Sequence, residues 1–315
     1  MEERAPDPGV YTSLPELVRL KHQGQGFSFL PRQPIHSLLA GRHASRLRGR
    51  GLNFEEVRTY LPGDDIRSID WKVTARTRKP HTRVYTEERE RPAILVVDQR
   101  SKMFFGSQVA MKSVTAAEAG ALAAWRILGV GDRPGALVFN DTKSVHIAPH
   151  RSQGRVLEIL RSMVRMNQAL GAALPSISSP ERLNEVLERV ARLAAHDHLI
   201  VLISDLDGAD ENTQRIVTRL GQHNDVMVVL VYDPLEAALP SAGRLVVSDG
   251  ELQLDVDSSE EALRQRFSEA FEARLALARQ FLRRRQIPVL PLDTVRPVAE
   301  QVRELLGYAP RASRA

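Results

Sequence analysis

Two aspartates that each follow a buried strand are the residues of this chain best placed to do chemistry. Residues 93–97 form a continuous apolar run, as expected of a strand that is buried on both faces, and Asp98 ends it. A second such run, residues 198–203, is followed by Ser204 and Asp205. In doubly wound sheets, ligands bind beyond the carboxyl ends of the strands. Carboxylates at that edge could bind a hard cation such as Mg²⁺, which prefers oxygen ligands.

The residues after Asp98 argue against a metal ion. Arg100 and Lys102 follow that aspartate two and four positions later, and neither cation can ligate Mg²⁺. A guanidinium beside Asp98 and Asp205 can instead replace the charge of the ion through bidentate bonds. We therefore expect no metal and no other cofactor, and no saturable heat when the protein is titrated with Mg²⁺ or Mn²⁺.

A second segment, residues 53–76, combines many charges with aromatic and strand-forming residues. Residues 62–65, Pro-Gly-Asp-Asp, are a strong turn signal. We interpret the paired aspartates as part of an ion-pair network with nearby arginines, and we expect Trp71 to be largely buried. The alternative is a solvated turn whose ion pairs are individually weak.

Taken whole, this segment resembles the signature of a bacterial family, domain of unknown function 58, whose pattern runs roughly EFxxLRxYxPGDDxRxIDWKxTAR. The matching residues with a structural or interaction role are Arg58, Tyr60, Pro62, Gly63, Asp64, Asp65, Arg67, Asp70, Trp71, Lys72 and Arg76.

The resemblance implies a von Willebrand factor A-like fold, whose metal-ion-dependent adhesion site begins with Asp-x-Ser-x-Ser. Here the two hydroxyl positions hold Arg100 and Lys102, so the implied site is degenerate. The middle loop offers only Ser176 and Ser178, without the expected Thr. The alternative is that Ser101 and Ser107 turn inward, so that a weak metal site survives.

Strand and helix patterns alternate from residue 93 onward, which predicts an α/β, doubly wound, mostly parallel sheet. Residues 32–92 do not alternate in this way. Their strand formers, Trp71 and Val73 among them, predict a small β-rich subdomain. We expect four regions: a partly flexible N-terminal segment (1–31), the β-rich signature subdomain (32–92), the α/β domain (93–308) and a loose tail (309–315).

Composition limits the class of protein. The 315 residues include no cysteine, which excludes disulfides and thiolate chemistry and fits a reducing compartment. No apolar run is long enough to cross a membrane, and residues 1–30 do not read as a signal peptide. Relatives often carry transmembrane helices near the N-terminus. We expect a cytoplasmic protein without membrane insertion.

The positive charge is concentrated in one segment. Residues 32–91 hold 14 Lys and Arg against 8 Asp and Glu. A nucleic-acid binder would use such a segment, notably Arg42, Arg46, Arg48 and Arg50. The preferred interpretation is a solvated face or a site for an acidic protein partner.

The resemblance implies a non-enzymatic interaction module, an adaptor or co-chaperone that works with a MoxR-type AAA+ ATPase. We expect the contact surface at the strand ends around Asp98, Arg100, Lys102 and Asp205. One alternative is a metal-dependent hydrolase built on Asp98, Asp205 and Asp64; nucleic-acid binding is the other.

Two further motifs carry less weight in the prediction. His196 and His198 are spaced as metal ligands but are expected to be solvated. Residues 233–236 (Asp-Pro-Leu-Glu) resemble a further family hallmark.

Overall fold

The computed structural model describes residues 9–24, 52–61, 64–87, 90–171, 181–237, 243–248, 253–266 and 287–306, together with a few isolated positions and stretches of up to three residues. The chain forms two compact units. One comprises Met1–Phe29 with Arg91–Ala315, and the other comprises Leu30–Glu90. The N-terminal segment therefore belongs to the same unit as the α/β domain.

The strands and helices alternate as expected in the larger unit. In chain order the strands are β1 (Leu52–Thr59), β2 (His81–Glu87), β3 (Pro92–Asp98), β4 (Arg133–Phe139), β5 (Ser144–Ile147), β6 (Leu199–Ser204), β7 (Asp225–Tyr232), β8 (Arg244–Ser248), β9 (Gln253–Asp257) and β10 (Val289–Asp293). The helices are α1 (Leu14–Arg19), α2 (Trp71–Thr77), α3 (Lys112–Gly129), α4 (Gln153–Gln168), α5 (Arg182–Leu193), α6 (Glu211–Leu220), α7 (Pro234–Ala237) and α8 (Val298–Leu305).

Six strands form the central sheet in the spatial order β10-β7-β6-β3-β4-β5. All neighbours are parallel except β5, which pairs with β4 as an antiparallel edge strand. Strand β3 lies inside the sheet, and its side chains alternate between two apolar cores: Leu95 and Val97 face one, Ile94 and Val96 the other. Burial on both faces explains the unbroken apolar runs of the sequence.

One face of the sheet is covered by α3, α4, α8 and the N-terminal helix α1. Helix α3 is rich in alanine, and a Cβ at Gly120 would lie 2.9 Å from the Met163 sulfur and 3.3 Å from a Val97 methyl carbon, so this helix packs very closely. Leu17 of α1 is fully buried against the same core. The Trp125 indole N–H donates to the Leu17 carbonyl at 3.1 Å, which fixes α1 on α3.

The other face is covered by α5 and α6, whose apolar residues form the second core with β3, β4, β6 and β7. Asp210 caps α6 by accepting from the Thr213 backbone N–H at 2.8 Å. Helices on both faces of a mostly parallel sheet confirm the predicted doubly wound α/β class. Strands β8 and β9 pair antiparallel, and residues 261–266 are helical.

The smaller unit differs from the prediction. Strands β1 and β2 pair antiparallel, with a bulge between Phe54 and Glu56. The prediction of strand at Trp71 and Val73 is wrong, because Trp71–Thr77 is helix α2. Asp70 explains the change, since its carboxylate accepts from the backbone N–H groups of Lys72 and Val73 and so caps a helix. Residues 32–51 lie outside the described ranges.

Within the described ranges, no helix combines the length and the hydropathy that a membrane span requires.

Candidate functional site: a row of buried carboxylates

Four neighbouring parallel strands end at an aspartate. Asp98 ends β3, Asp205 directly follows β6, Asp233 follows β7, and Asp293 ends β10. Because the carboxyl ends of parallel strands meet at one edge of a sheet, the four carboxylates form a row there. All four residues are buried. Buried carboxylates are costly unless they are paired or hydrogen-bonded, so each requires a partner.

Arg100 is the partner of Asp98. Its Nε lies 3.0 Å and 3.1 Å from the two carboxylate oxygens, and one terminal nitrogen lies 2.7 Å from Oδ2. The Arg100 backbone N–H and the Ser204 hydroxyl also donate to Asp98, at 3.0 Å and 2.7 Å. The Phe139 ring lies over the guanidinium, with its centroid 5.8 Å away. Both oxygens of Asp98 are thus engaged by donors from its own loop and from β6.

Lys112 is the partner of Asp205. Its ammonium lies 2.7 Å from Asp205 Oδ2 and 2.7 Å from Glu236 Oε1, although Lys112 is only 2% exposed. The other Asp205 oxygen accepts from the Asp207 backbone N–H at 2.9 Å. Arg100 reaches the same carboxylate at 3.8 Å. The two ion pairs therefore join into one chain of alternating charges, which we call the buried charge network: Asp98, Arg100, Asp205, Lys112 and Glu236.

The sequence prediction found three of these five residues. It correctly brought Asp98, Arg100 and Asp205 together. It also expected Lys102 in the cluster, but that side chain is exposed, and Lys112 takes the second cationic position. Lys112 lies in the first turn of α3, where a lysine resembles an ordinary solvated residue, so only the fold reveals it. The sequence places Glu236 within a segment that resembles a family hallmark but does not predict its ion pair with Lys112.

For both Asp98 and Asp205, burial acts to raise the pKa and the neighbouring cations act to lower it. Burial acts to raise the pKa of Asp205, but the charges of Lys112 and Arg100 outweigh it and lower that pKa to about 2. Burial raises the pKa of Asp98 from its usual value, against the opposing charge and hydrogen bonds of Arg100. The Asp205 carboxylate and the Lys112 ammonium consequently depend on each other for their charged states.

Asp233 accepts hydrogen bonds from neutral hydroxyl groups, and Asp293 is paired with Arg296 of its own loop. Asp233 accepts from the Ser107 hydroxyl at 2.6 Å and from the Thr294 hydroxyl at 2.6 Å, so it ties the loop after β3 to the end of β10. Asp293 accepts from the backbone N–H of Arg296 at 2.8 Å and pairs with the guanidinium at 2.9 Å. Ser107, which the alternative prediction turned toward a metal, is thus bonded to Asp233.

A chain of buried hydrogen bonds through two side-chain amides fixes the loop that carries Arg100. Gln99 donates to the Ser113 carbonyl at 2.8 Å and accepts from the Asn167 amide at 3.2 Å. Asn167 in turn accepts from the Thr12 backbone N–H at 2.8 Å. The N-terminal segment, α4 and the start of α3 therefore all support the position of the loop between β3 and α3.

The carboxylates at this edge of the sheet are not arranged to bind a metal ion. Every carboxylate oxygen of Asp98 and Asp205 already accepts from a cation, a hydroxyl or a backbone N–H. Within the described residues, no group of three or more His, Asp or Glu side chains is arranged to hold a metal. His196 and His198 are no exception: His196 is exposed beside Asp197, and the His198 ring lies 2.7 Å from the His196 carbonyl.

The signature segment lies in the smaller unit. Arg58 and Asp64 form the predicted ion pair, at 2.8 Å for both nitrogen–oxygen contacts, and this lowers the pKa of Asp64. The Tyr60 hydroxyl donates to the Asp64 carbonyl at 3.2 Å, and Asp65 accepts from the Arg67 backbone N–H at 2.9 Å.

The predicted burial of Trp71 is wrong, because its side chain is 68% exposed on α2; Lys72 and Arg76 are also exposed.

The predicted contact surface needs a similar correction. Asp98, Arg100 and Asp205 are buried, so of the four predicted contact residues only Lys102 is available to a partner. The remaining predicted residues lie outside the described ranges: Pro62, Gly63, Arg42, Arg46, Arg48, Arg50, Ser176 and Ser178.

Comparison with known proteins identifies the family. The profile described as "Protein of unknown function DUF58" matches residues 56–276, and the chain belongs to that family. Uncharacterized proteins of Mycobacterium bovis and Mycobacterium tuberculosis are each 31% identical over 273 residues, covering 84% of this chain and 82% of theirs. The crystal structure of the conserved hypothetical protein BatB from Bacteroides thetaiotaomicron shares 12% identity and a TM-score of 0.38, covering 68% of this chain and 97% of that one.

Removing the charge of Lys112 should destabilise the protein strongly. We expect Lys112→Met to lower the free energy of unfolding by about 3–5 kcal/mol, because it leaves the Asp205 carboxylate buried without its cation. Lys102→Met is the matched control, since that lysine is exposed and should change stability by less than about 0.5 kcal/mol. Urea unfolding measures both. Equal stability of the two variants would show that the buried ion pair contributes nothing.

The contribution of Lys112 should also depend on pH. Because the folded state lowers the pKa of Asp205 from 3.8 to about 2, the unfolded chain binds this proton more readily. The stability from the pair is therefore complete above the unfolded pKa and is lost as the pH falls toward the folded one. In urea unfolding, the stability gap between wild type and Lys112→Met should narrow as the pH falls from 3.8 toward about 2. A gap that stays constant over that range would contradict the assignment.

Proposed function

We propose that this protein is a non-enzymatic interaction module, with a von Willebrand A-like α/β domain whose ancestral type of metal site is replaced by internal cations. The observation that carries the proposal is the pairing of Arg100 with Asp98 and of Lys112 with Asp205 at the edge where this architecture places ligands. A metal-free, charge-compensated edge is suited to hold loops rigidly. Rigid loops on a stable scaffold are typical of binding surfaces.

The same pairing disfavours the hydrolase alternative. A general base needs an oxygen that is free to take a proton, within hydrogen-bond reach of water or substrate. Asp98 accepts from Arg100 and Ser204, and the exposure of both Asp98 and Asp205 is 2% or less. Asp64, the third residue of that alternative, accepts from Arg58. These carboxylates are therefore better explained as structural groups than as catalysts.

The proposed partner is a MoxR-type AAA+ ATPase, for which the protein would act as an adaptor or co-chaperone. Support comes from the family resemblance of the signature segment. The exposed part of the sheet edge, around Lys102, Ser107 and Val109, is the surface that we assign to this contact. A cation at that surface favours association with an acidic partner and makes the association sensitive to salt. The absence of cysteine supports a cytoplasmic location.

A pull-down from native lysate tests the partner. The tagged wild-type chain should recover a MoxR-type ATPase, identified by mass spectrometry, at low ionic strength. Lys102→Glu should reduce the recovery, because it reverses an exposed charge at the proposed surface, while leaving the melting temperature within about 2 °C of wild type. Arg161→Glu, an exposed arginine on α4, is the matched control and should recover as much ATPase as wild type.

Two outcomes would contradict different parts of the proposal. If wild type recovers no such ATPase, the partner is wrong. If wild type and Lys102→Glu recover it equally, the assigned surface is wrong although the partner stands.

A further inference from the structure

The smaller unit exposes apolar side chains that a folded protein normally buries. Among the described residues, the large apolar side chains above 50% exposure are Trp71 (68%), Ile66 (65%), Val109 (60%) and Leu61 (58%). Three of these four lie within residues 61–71. Large exposed apolar side chains concentrated in so short a segment indicate a candidate interaction surface.

The fold holds Trp71 outward. Helix α2 is anchored from its inner side, where the His81 backbone N–H donates to the Thr74 hydroxyl at 3.0 Å and the Asp70 backbone N–H donates to the His81 carbonyl at 2.8 Å. Asp70 is itself buried and caps the helix. Trp71 is the first helical residue after this anchored cap, so its direction is set by local structure.

The exposed side of α2 carries charge as well as an indole. With 100° between successive helical residues, Trp71, Lys72, Ala75 and Arg76 share one arc of the helix, and all four are exposed. We call this arc the Trp71 face. Val73, on the opposite arc, is only partly exposed. The Trp71 face therefore carries one indole and two cations on the exposed side of the helix.

The surroundings of the Trp71 face are strongly basic. The exposed charged residues from position 65 to position 79 are one aspartate and five cations: Asp65, Arg67, Lys72, Arg76, Arg78 and Lys79. The two other aspartates of the segment are engaged internally, Asp64 with Arg58 and Asp70 with the N-terminus of α2. The positive field around Trp71 is thus not neutralised by the segment itself.

We propose that the Trp71 face binds an acidic segment of a partner protein, with an apolar side chain of that segment covering the indole. Trp and Arg are the residues that most often dominate the energy of protein interfaces. The neighbouring exposed apolar residues, Ile66 and Leu61, are aliphatic. Single-stranded nucleic acid would instead need successive aromatic side chains on which its bases stack. This surface lies on a different unit from Lys102, so the inference does not depend on the ATPase proposal.

Fluorescence anisotropy with a defined probe tests the proposal on the full-length chain. The probe is a fluorescein-labelled peptide of about 14 residues in which Glu and Asp alternate with Leu and Phe. It should bind wild type and lose affinity by about tenfold or more with Trp71→Ala, the loss expected of a central aromatic anchor. Lys72→Glu combined with Arg76→Glu should weaken binding by a similar factor and flatten its dependence on salt.

Matched controls separate this site from general charge and apolarity. Arg161→Glu with Arg165→Glu reverses two exposed arginines at the same spacing on α4, and Leu305→Ala removes another exposed apolar side chain; both should bind as wild type does. A peptide with Gln and Asn in place of the acids, and one with Ser in place of Leu and Phe, should each bind at least about tenfold more weakly.

Tryptophan fluorescence gives an independent readout, because the chain has only Trp71 and Trp125, and Trp125 is 6% exposed. Acrylamide should quench the emission that Trp71→Phe removes, and the peptide should protect it. The proposal is overturned by equal peptide binding to wild type and Trp71→Ala, or by no binding at low salt. It is also overturned if an oligothymidine of the same charge binds in preference, or if the indole is already protected without peptide.

Discussion

Burying four carboxylates at one edge of a sheet is the constraint on which the rest of this structure depends. Parallel strands bring their carboxyl ends together, so the aspartates after β3, β6, β7 and β10 come close to one another and to the core. Unpaired, each would carry a desolvation cost of several kcal/mol. The chain meets that cost with two buried cations, Arg100 and Lys112, and with hydroxyl and backbone donors for the others.

That solution links distant parts of the chain. Lys112 begins α3, Arg100 lies in the loop after β3, Asp205 follows β6 and Glu236 lies on α7, so the buried charge network joins four segments at one edge of the sheet. Removing Arg100 or Lys112 would leave its aspartate buried and charged without its cation. In the intact network each of these aspartates is paired. In our account the network is a scaffold that fixes the exposed loops above it, and binding takes place on those loops.

The sequence predicted the α/β class and two buried strands of the larger unit, because continuous apolar runs are typical of strands that are buried on both faces. It also predicted the pairing of Asp98 with Arg100, which are two residues apart. Lys112 was missed because its partner, Asp205, is distant in sequence and only tertiary structure brings the two together. Trp71 was expected in a buried strand because indoles are usually buried, but Asp70 caps a short helix there and directs the next residue outward.

We propose that the internal cations Arg100 and Lys112 take the place that a metal ion would need. The most direct test compares the melting temperature of wild type and Arg100→Ser in millimolar Mg²⁺ and in EDTA, with calorimetric titration of both. We predict that wild type shows no saturable heat and no shift, and that Arg100→Ser melts lower and is partly restored by Mg²⁺. Saturation at about a hundredfold excess over Kd corresponds to about 2.7 kcal/mol of stabilisation. Stoichiometric Mg²⁺ binding to wild type that is lost in Asp98→Asn would contradict the account.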